Sequence, residues 1–274
     1  MREKQLPPVA GAVAGAVPAG DGRLDLPQVT LCAVSSVNVA ATVRALEASV
    51  AQVRFGACKL LTHEPVCPAH PEIEVVPIAP LRSSAAYSDF MLAQLPDHVT
   101  TAYCLVAQWD GHVLDAGRWQ DAFLDYDYIG ASWPQFDDGH DVGNGGFSLR
   151  SRRLMELCRD PAFVPVHPED VAIGRRNRAW LEERGMRFAP RSLAAGFAAE
   201  RSGDLRATFG YHGVWHMPAA LGPDAFWQVY RQLDERSTLR PDFRAILLDV
   251  ARGPSGFRRG CRMIADKWLR RGQK

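Results

Sequence analysis

The feature that most constrains the fold is an alternation of short apolar runs with amphipathic stretches in the first hundred residues. Val29–Val34 (VTLCAV) is a continuous apolar run of strand length, and Val39–Val53 has apolar side chains at helical spacing. Cys58–Leu61 and Ile73–Ile78 are two further strand-like runs. Strands that alternate with helices in this way are typical of a mainly parallel sheet flanked by helices. The sequence therefore predicts an α/β fold.

The remaining elements follow from the same patterns. Helices are predicted at Tyr87–Leu95 with Ser83 or Ser84 as its cap, Arg118–Phe123, Ser151–Cys158 and Val171–Arg184, and strands at Tyr103–Ala107, Tyr128–Ala131 and within Gly143–Arg150. From Asp224 onward the spacing is helical. We expect a flexible leader at residues 1–27, a single domain at 28–220 and a helical extension at 221–274. A targeting role for the leader stays open, because its apolar run is interrupted by prolines and glycines.

Composition excludes several classes of function. The formal net charge of +1 gives no general attraction to nucleic acid, and we expect no nucleic-acid partner. Six cysteines occur without a CxxC pair, which favours reduced thiols and a cytoplasmic protein over a zinc site. No apolar run approaches the roughly 20 residues that a membrane span requires.

One strand ends in an unusual way. The apolar run Cys104–Ala107 leads directly into Gln108, Trp109, Asp110 and Gly111. The carboxyl ends of central strands are where α/β proteins bind ligands, so Asp110 is a candidate ligand-binding residue. A helix cap or a turn is the ordinary alternative for a lone aspartate at this position.

Three further segments contain candidate residues, each with a structural alternative. The glycines in NGGFSLRS (Asn144–Ser151) permit close approach of a ligand or simply a tight turn. In HPEDV, Glu169 and Asp170 follow Pro168 as at an ordinary helix N-terminus. In FGYHG, His212 is either a ligand or a structural residue.

The order of these segments resembles that of GT-A glycosyltransferases, which use nucleotide sugars. QWDG occupies the place of their acidic metal-binding motif, with Gln108 where a first aspartate is expected. GGFSLRS followed by EDVAIG is similar to the pattern of inverting β-1,3-glycosyltransferases. The whole set also resembles an uncharacterised bacterial family grouped with these enzymes, over roughly Val29 to Met217. The resemblance implies a GT-A (Rossmann-like) domain at residues 28–220.

The resemblance also implies roles for individual residues. Asp110 and His212 would hold Mn²⁺ or Mg²⁺ on the donor diphosphate, and Asp170 would be the catalytic base with Glu169 as its neighbour or substitute. The positions implied for donor binding are Ser35, Ser36, Asn38, Gln108 and Trp109, and those for substrate binding are Asn144, Gly145 and Gly146. The implied reaction transfers a sugar, with UDP-sugars favoured, to a glycan or lipid-linked glycan with inversion, as in bacterial polysaccharide biosynthesis.

Alternatives remain at this stage. His216 competes with His212 for the metal, and DDGHD (Asp137–Asp141) looks more like a metal motif than QWDG but lacks an apolar strand before it. A nucleotidyltransferase would need a glycine-rich, basic phosphate loop, which VTLCAVSSVN does not contain. The missing first aspartate favours a non-catalytic sugar- or nucleotide-binding module.

The last segment, Phe257 to Arg271, has basic residues along one side and Met263, Ile264, Trp268 and Leu269 along another. This pattern predicts peripheral contact with the inner face of an anionic membrane. A solvated helix packed on the domain explains it equally well.

Overall fold

A computed structural model describes residues 21–269 of the protein. Most of the predicted leader lies outside the described residues, as do Arg270 and Arg271 of the last predicted helix. Within the described part of the chain, no helix is long and apolar enough to cross a membrane.

A six-stranded sheet forms the centre of the fold. Its strands are β1 (Leu24–Ser35), β2 (Val53–Thr62), β3 (Ile73–Pro77), β4 (Tyr103–Ala107), β5 (Tyr128–Ile129) and β6 (Phe147–Ser151). They lie in the order β3-β2-β1-β4-β6-β5, with β1 to β4 parallel and β6 antiparallel to both of its neighbours. The predicted class, a mixed and mainly parallel sheet flanked by helices, is confirmed.

Helices cover the sheet and form the C-terminal part of the described chain. They are α1 (Val39–Val50), α2 (Ser84–Ala93), α3 (Arg152–Leu157), α4 (Glu169–Val171), α5 (Arg178–Glu183), α6 (Arg191–Phe197), α7 (Met217–Leu221), α8 (Pro223–Gln232), α9 (Phe243–Arg252) and α10 (Gly256–Leu269). A π-helical turn, Ala172–Arg176, connects α4 to α5. Two short strands, β7 (Ala198–Ala199) and β8 (Gly210–Tyr211), pair in parallel outside the main sheet.

Several predicted boundaries differ from the observed ones. The predicted helix Val39–Val53 ends at Val50, because Val53 begins β2 and pairs with Leu24 at the start of β1. Strand β1 therefore starts four residues before the predicted domain boundary at residue 28. The predicted helix Arg118–Phe123 is replaced by two 3-10 turns, Ala116–Arg118 and Asp121–Asp125.

The continuous apolar run in β1 has a simple explanation, because both faces of this strand are buried. Leu31 and Ala33 belong to one apolar cluster, and Cys32 and Val34 belong to another on the opposite face. Successive side chains of a strand point to opposite faces, so a strand covered on both sides needs apolar residues at every position.

The C-terminal helices pack against the same body. Phe226, Ile246 and Met263 form a cluster with Tyr211 and its neighbours. The loop after β1 is joined to this region by Asn38, whose amide donates to the carbonyl of Glu235 at 3.1 Å and accepts from its backbone N–H at 3.0 Å.

The connectivity defines where a ligand site is expected. From β1 the chain moves to β2 and β3 on one side of the sheet and then returns to β4 on the other side. The carboxyl ends of β1 and β4 therefore meet at a topological switch point, the usual position of ligand sites in open α/β sheets. Gln108 directly follows β4 at this position.

Candidate functional site

Two motifs that are far apart in sequence are joined at the end of β4. The backbone N–H of Gly213 donates to the carbonyl of Asp110 at 2.9 Å, and that of Tyr211 donates to the carbonyl of His112 at 3.3 Å. A Cβ atom at Gly111 would lie 2.5 Å from the carbonyl oxygen of Tyr211, so the backbones can meet only if this residue is glycine. The QWDG and FGYHG segments therefore place Asp110 beside His212.

Three polar atoms converge at this point. Nε2 of His212 lies 3.4 Å from Oδ1 of Asp110 and 3.2 Å from Oε1 of Gln108. The amide nitrogen of Gln108 donates to the hydroxyl of Tyr87 at 3.0 Å, which keeps its oxygen directed at the imidazole. Oδ1 of Asp110 is buried and has no hydrogen-bond partner among the described residues. Most buried polar atoms have a partner, and this oxygen is one of six buried side-chain atoms without one among the described residues. Its position beside His212 and Gln108 makes it a candidate ligand atom.

The other ring nitrogen of His212 faces two residues. Nδ1 lies 3.5 Å from Oε1 of Glu200 and 3.2 Å from Nδ2 of Asn144. Glu200 and His212 each follow the last residue of a short strand, and the register of Ala199 with Tyr211 sets them side by side. Sequence analysis did not identify Glu200, because a two-residue strand has too few positions to show a periodic pattern.

The charges around His212 favour its protonated form when no cation is present. Burial by itself lowers the pKa of an imidazole, but the carboxylates of Asp110 and Glu200 outweigh it and raise the pKa of His212 to about 10. An imidazolium between two carboxylates satisfies the electrostatics of this pocket. A divalent cation bound to Nε2 would also balance the charge of the two carboxylates, and the imidazole ring would then be neutral.

The glycine segment lines the same space. Asn144 has a left-handed backbone with φ 58°, and its Oδ1 accepts from the backbone N–H of Gly146 at 3.1 Å. A Cβ atom at Gly146 would lie 2.1 Å from Nε2 of His212. At Gly145 it would lie 2.4 Å from a carboxylate oxygen of Glu169. These glycines therefore separate two clusters of charged side chains.

The second cluster is centred on Arg150, which is almost completely buried in β6. Its guanidinium donates to Glu169 at 3.1 Å and to the carbonyl of Gly145 at 3.3 Å. The other carboxylate oxygen of Glu169 accepts from the hydroxyl of Ser88 at 3.3 Å. The carboxylate of Glu169, predicted as a catalytic neighbour or substitute, is therefore already bound within the protein.

Asp170 lies beside this pair and is more accessible than Glu169. Its carboxylate accepts from the backbone N–H of Gly145 at 3.1 Å and from its neighbour Val171 at 2.8 Å. Burial, followed by the charge of Glu169, raises the pKa of Asp170. A carboxyl group with a raised pKa is a better proton acceptor once it is ionised.

The residues predicted after β1 use their polar groups internally. Ser35 donates to the carbonyl of Val37 at 2.7 Å, and Ser36 accepts from the backbone N–H of Leu81 at 2.9 Å. Asn38 is bound to Glu235 as described above. Their role in donor binding stays a prediction. Trp109 is half-buried and packs against the C-terminal apolar cluster.

The competing motifs lie elsewhere and are occupied. His216 donates from Nε2 to the carbonyl of Glu200 at 2.6 Å. In the DDGHD turn, Asp138 pairs with Arg175 at 2.8 Å, and Asp141 pairs with Arg191 at 2.5 Å.

A metal site at Asp110 and His212 depends on Gln108. Within residues 21–269 no group of three or more His, Cys, Asp or Glu side chains could hold a metal ion. The amide oxygen of Gln108 supplies a third donor next to the unpaired oxygen of Asp110 and Nε2 of His212. An oxygen-rich set with one imidazole fits Mn²⁺ better than Mg²⁺.

The fold and the charged side chains together define an α/β protein with a candidate ligand site at the switch point of its sheet. Residues 70–212 match a family model described as "Protein of unknown function (DUF5672)". This match spans more than half of the chain, so the protein belongs to that family. No protein with curated information matches the sequence.

Solved structures with a similar arrangement include three transferases. The galactosyltransferase LgtC with donor and acceptor sugar analogs is 14% identical, with 80% of this chain and 99% of that chain covered and a TM-score of 0.40. The mannosyltransferase PcManGT from Pyrobaculum calidifontis, with GDP-Man and Mn²⁺, is 10% identical over 90% and 78%, with a TM-score of 0.42. A glycosyltransferase that acts in glycosylation of the PBCV-1 major capsid is 10% identical over 67% and 91%, with a TM-score of 0.41. Scores this low assign no function, which has to come from the site.

Proposed function

We propose that the protein is a metal-dependent glycosyltransferase that uses a nucleotide-sugar donor. The observation that carries this proposal is the buried Oδ1 of Asp110, which has no hydrogen-bond partner among the described residues and lies 3.4 Å from Nε2 of His212 at the switch point of the sheet. The motif resemblance supports the same assignment. Asp110, His212 and the amide oxygen of Gln108 would hold Mn²⁺ or Mg²⁺, and the cation would neutralise charge on the leaving diphosphate.

The cluster centred on Arg150 lies beside the proposed proton acceptor, Asp170. Asp170 takes the proton of the acceptor hydroxyl as general base, which typically contributes about 10²–10⁴-fold to the rate. Glu169 and Arg150 hold the Gly145 segment in place beside it. Attack by the hydroxyl from the side opposite the diphosphate would invert the anomeric centre. A UDP-sugar donor and a glycan or lipid-linked glycan acceptor are the substrates that we propose.

A second candidate function rests on the contacts of Nδ1. The amide nitrogen of Asn144, 3.2 Å away, is a donor, and it suits an Nδ1 that accepts and an Nε2 that carries the proton. In that state His212 is no metal ligand, and the site would be a non-catalytic module that binds a sugar or nucleotide. Glu200 favours the opposite state, with the proton on Nδ1.

The deciding experiment is a thermal-shift panel of nucleoside diphosphates and nucleotide sugars with Mn²⁺ or with EDTA. Ligand at a hundredfold excess over its Kd stabilises the native state by about 2.7 kcal/mol. We expect one nucleotide sugar to raise Tm only with Mn²⁺, and the rise to disappear in Asp110→Asn. Asp138→Asn, in the exposed DDGHD turn, is the matched control and should keep it.

Transfer and hydrolysis assays then distinguish the role of the Arg150 cluster in turnover from the role of the His212 cluster in donor binding. In Asp170→Asn we expect the donor to bind as before, while turnover falls by about 10²-fold or more. Stabilisation by a nucleotide that is equal in Mn²⁺ and EDTA would favour the non-catalytic module. No stabilisation by any nucleotide, in a folded protein, would contradict both candidates.

A further inference from the structure

The last two helices expose apolar side chains to an unusual degree. Among the described residues six large hydrophobic side chains are exposed, and four of them lie on α9 or α10: Leu248, Phe257, Ile264 and Trp268. Phe257 is 83% exposed and Trp268 is 64% exposed. Single exposed apolar residues are ordinary, but a group of them on adjacent elements marks an interaction surface.

Three of these residues share one face of α10. Phe257, Ile264 and Trp268 are separated by seven and four positions, which places them in one line along a helix. We call them the α10 stripe. Met263 points roughly a third of a turn away from the stripe and is fully buried in the C-terminal apolar cluster. The helix therefore packs on the body by one apolar face and presents a second one outward.

Cations without ion pairs occur on α10 and at the start of α9, which packs against it. The ion pairs of this region use Arg201, Arg236, Arg252, Arg259 and Arg262, and within the described residues Arg240, Arg244 and Arg258 take part in none. The two acidic residues of α9 and α10 are already paired, Asp249 with Arg252 at 2.8 Å and Asp266 with Arg236 at 3.0 Å. The ammonium group of Lys267 lies 4.1 Å from the centre of the Phe243 ring and forms no ion pair within residues 21–269.

We propose that the α10 stripe and its flanking cations dock the protein on an anionic phospholipid membrane. Apolar side chains beside arginines and lysines match an interface of acyl chains and lipid phosphates. A second copy of the chain fits less well, because two such faces would oppose like charges. Three side chains also cover much less than the roughly 800 Å² per partner of a stable interface. This docking goes beyond the proposed transferase activity and does not depend on it.

The test is flotation of the full-length protein with vesicles of phosphatidylcholine alone or of phosphatidylcholine with phosphatidylglycerol. We expect binding to the anionic vesicles only, with loss at high salt because screening shortens the reach of the charges. Arg258→Gln and Arg244→Gln should each weaken binding about fivefold. Phe257→Ser and Ile264→Ser together should weaken it by roughly tenfold or more.

The matched control is Val164→Ser, because Val164 is 42% exposed and Ile264 is 43% exposed, but Val164 lies far along the chain from α10. It should leave vesicle binding unchanged. Absence of binding by the wild-type protein, or an equal loss in Val164→Ser, would overturn the proposal. A wild-type dimer in light scattering that becomes a monomer in Phe257→Ser would also overturn it and assign the stripe to self-association. Retained nucleotide-dependent stabilisation in these variants keeps this result separate from the transferase proposal.

Discussion

Two charged clusters lie on either side of the Asn144–Gly146 segment, and they differ in how completely their hydrogen bonds are satisfied. In the Arg150 cluster the guanidinium is a permanent cation, and both oxygens of Glu169 have donors. In the His212 cluster the cation is an imidazolium, and Oδ1 of Asp110 has no hydrogen-bond partner within the described residues. The hydrogen bonds of the Glu169 carboxylate are complete without a ligand, whereas those of the Asp110 carboxylate are not.

The difference separates structural from functional carboxylates. Arg150 cannot lose its proton under any condition in which the protein is folded, so its pair with Glu169 fixes the backbone of Gly145. His212 can exchange its proton for a cation, so the carboxylates around it can serve a bound metal. The proposed function therefore gives Glu169 a supporting role and Asp110 the metal. The proposal that Asp170 is the base rests instead on its greater accessibility than Glu169, since both of its oxygens also accept hydrogen bonds.

The largest effect is expected from breaking the completed cluster. Arg150→Met leaves the carboxylate of Glu169 buried without its cation, which should cost about 3–5 kcal/mol of unfolding free energy. Urea unfolding followed by circular dichroism measures it. The matched control is Arg153→Met, because Arg153 pairs with Asp127 at 3.2 Å but is 61% exposed. The guanidinium of Arg153 is solvated, and buried Asp127 keeps donors from Ser151 and the backbone N–H of Arg187, so this change should cost less than about 1 kcal/mol. Equal losses in the two variants would contradict a structural role for the Arg150 pair.

The parallel sheet was predictable because its central strands are buried on both faces. Tyr103–Ala107 was predicted with the observed boundaries, and the cap of α2 is Ser83, one of the two predicted candidates, although the helix begins at Ser84 and not at Tyr87. The short strands β7 and β8 were missed, because two residues show no periodicity. The end of α1 was misplaced for a different reason. Val53 fits both a helical face and the start of β2, and only its pairing with Leu24 shows that it belongs to the strand.

The site was partly visible in the sequence. Asp110, His212 and the Asn144–Gly146 segment are adjacent in the structure, as the order of the motifs suggested, although their roles stay proposals. Arg150 carried a signal that was not used, because a charged residue inside the apolar run FSLRS must have a buried partner. Glu200 and Tyr87 carried none, because tertiary contacts alone bring them to His212 and Gln108.

The next effect concerns the orientation of His212. Glu200→Gln removes the carboxylate that favours a proton on Nδ1 and thereby a free Nε2 for the cation. We expect Mn²⁺ affinity to fall about 10–100-fold, the usual effect of losing such a partner. Titration of free Mn²⁺ by electron paramagnetic resonance measures it without any assay of turnover. Glu156→Gln, 46% exposed and paired with Arg159 at 3.5 Å, is the control. Unchanged affinity in Glu200→Gln would remove Glu200 from the metal site.

The last effect is a pH dependence of stability that only the His212 cluster should show. In the metal-free protein the pKa of His212 is about 10, above the ordinary value of 6.5. Its contribution to stability is therefore complete below about pH 6.5 and is lost as the pH rises through about 10. The slope is at most about 1.4 kcal/mol per pH unit. The measurement is unfolding free energy in EDTA from about pH 7 to about pH 9.

Wild type should lose more stability than His212→Gln across this range, whereas the cost of Arg150→Met should stay constant, because the charge of Arg150 does not change there. His216→Gln is the matched control. Burial lowers the pKa of His216, so its contribution is lost as the pH falls below its ordinary value, on the acid side of this range. The alkaline decline should therefore persist in His216→Gln. If it persisted in His212→Gln as well, His212 would not be charged in the metal-free protein, and the two clusters would differ less than their hydrogen bonds indicate.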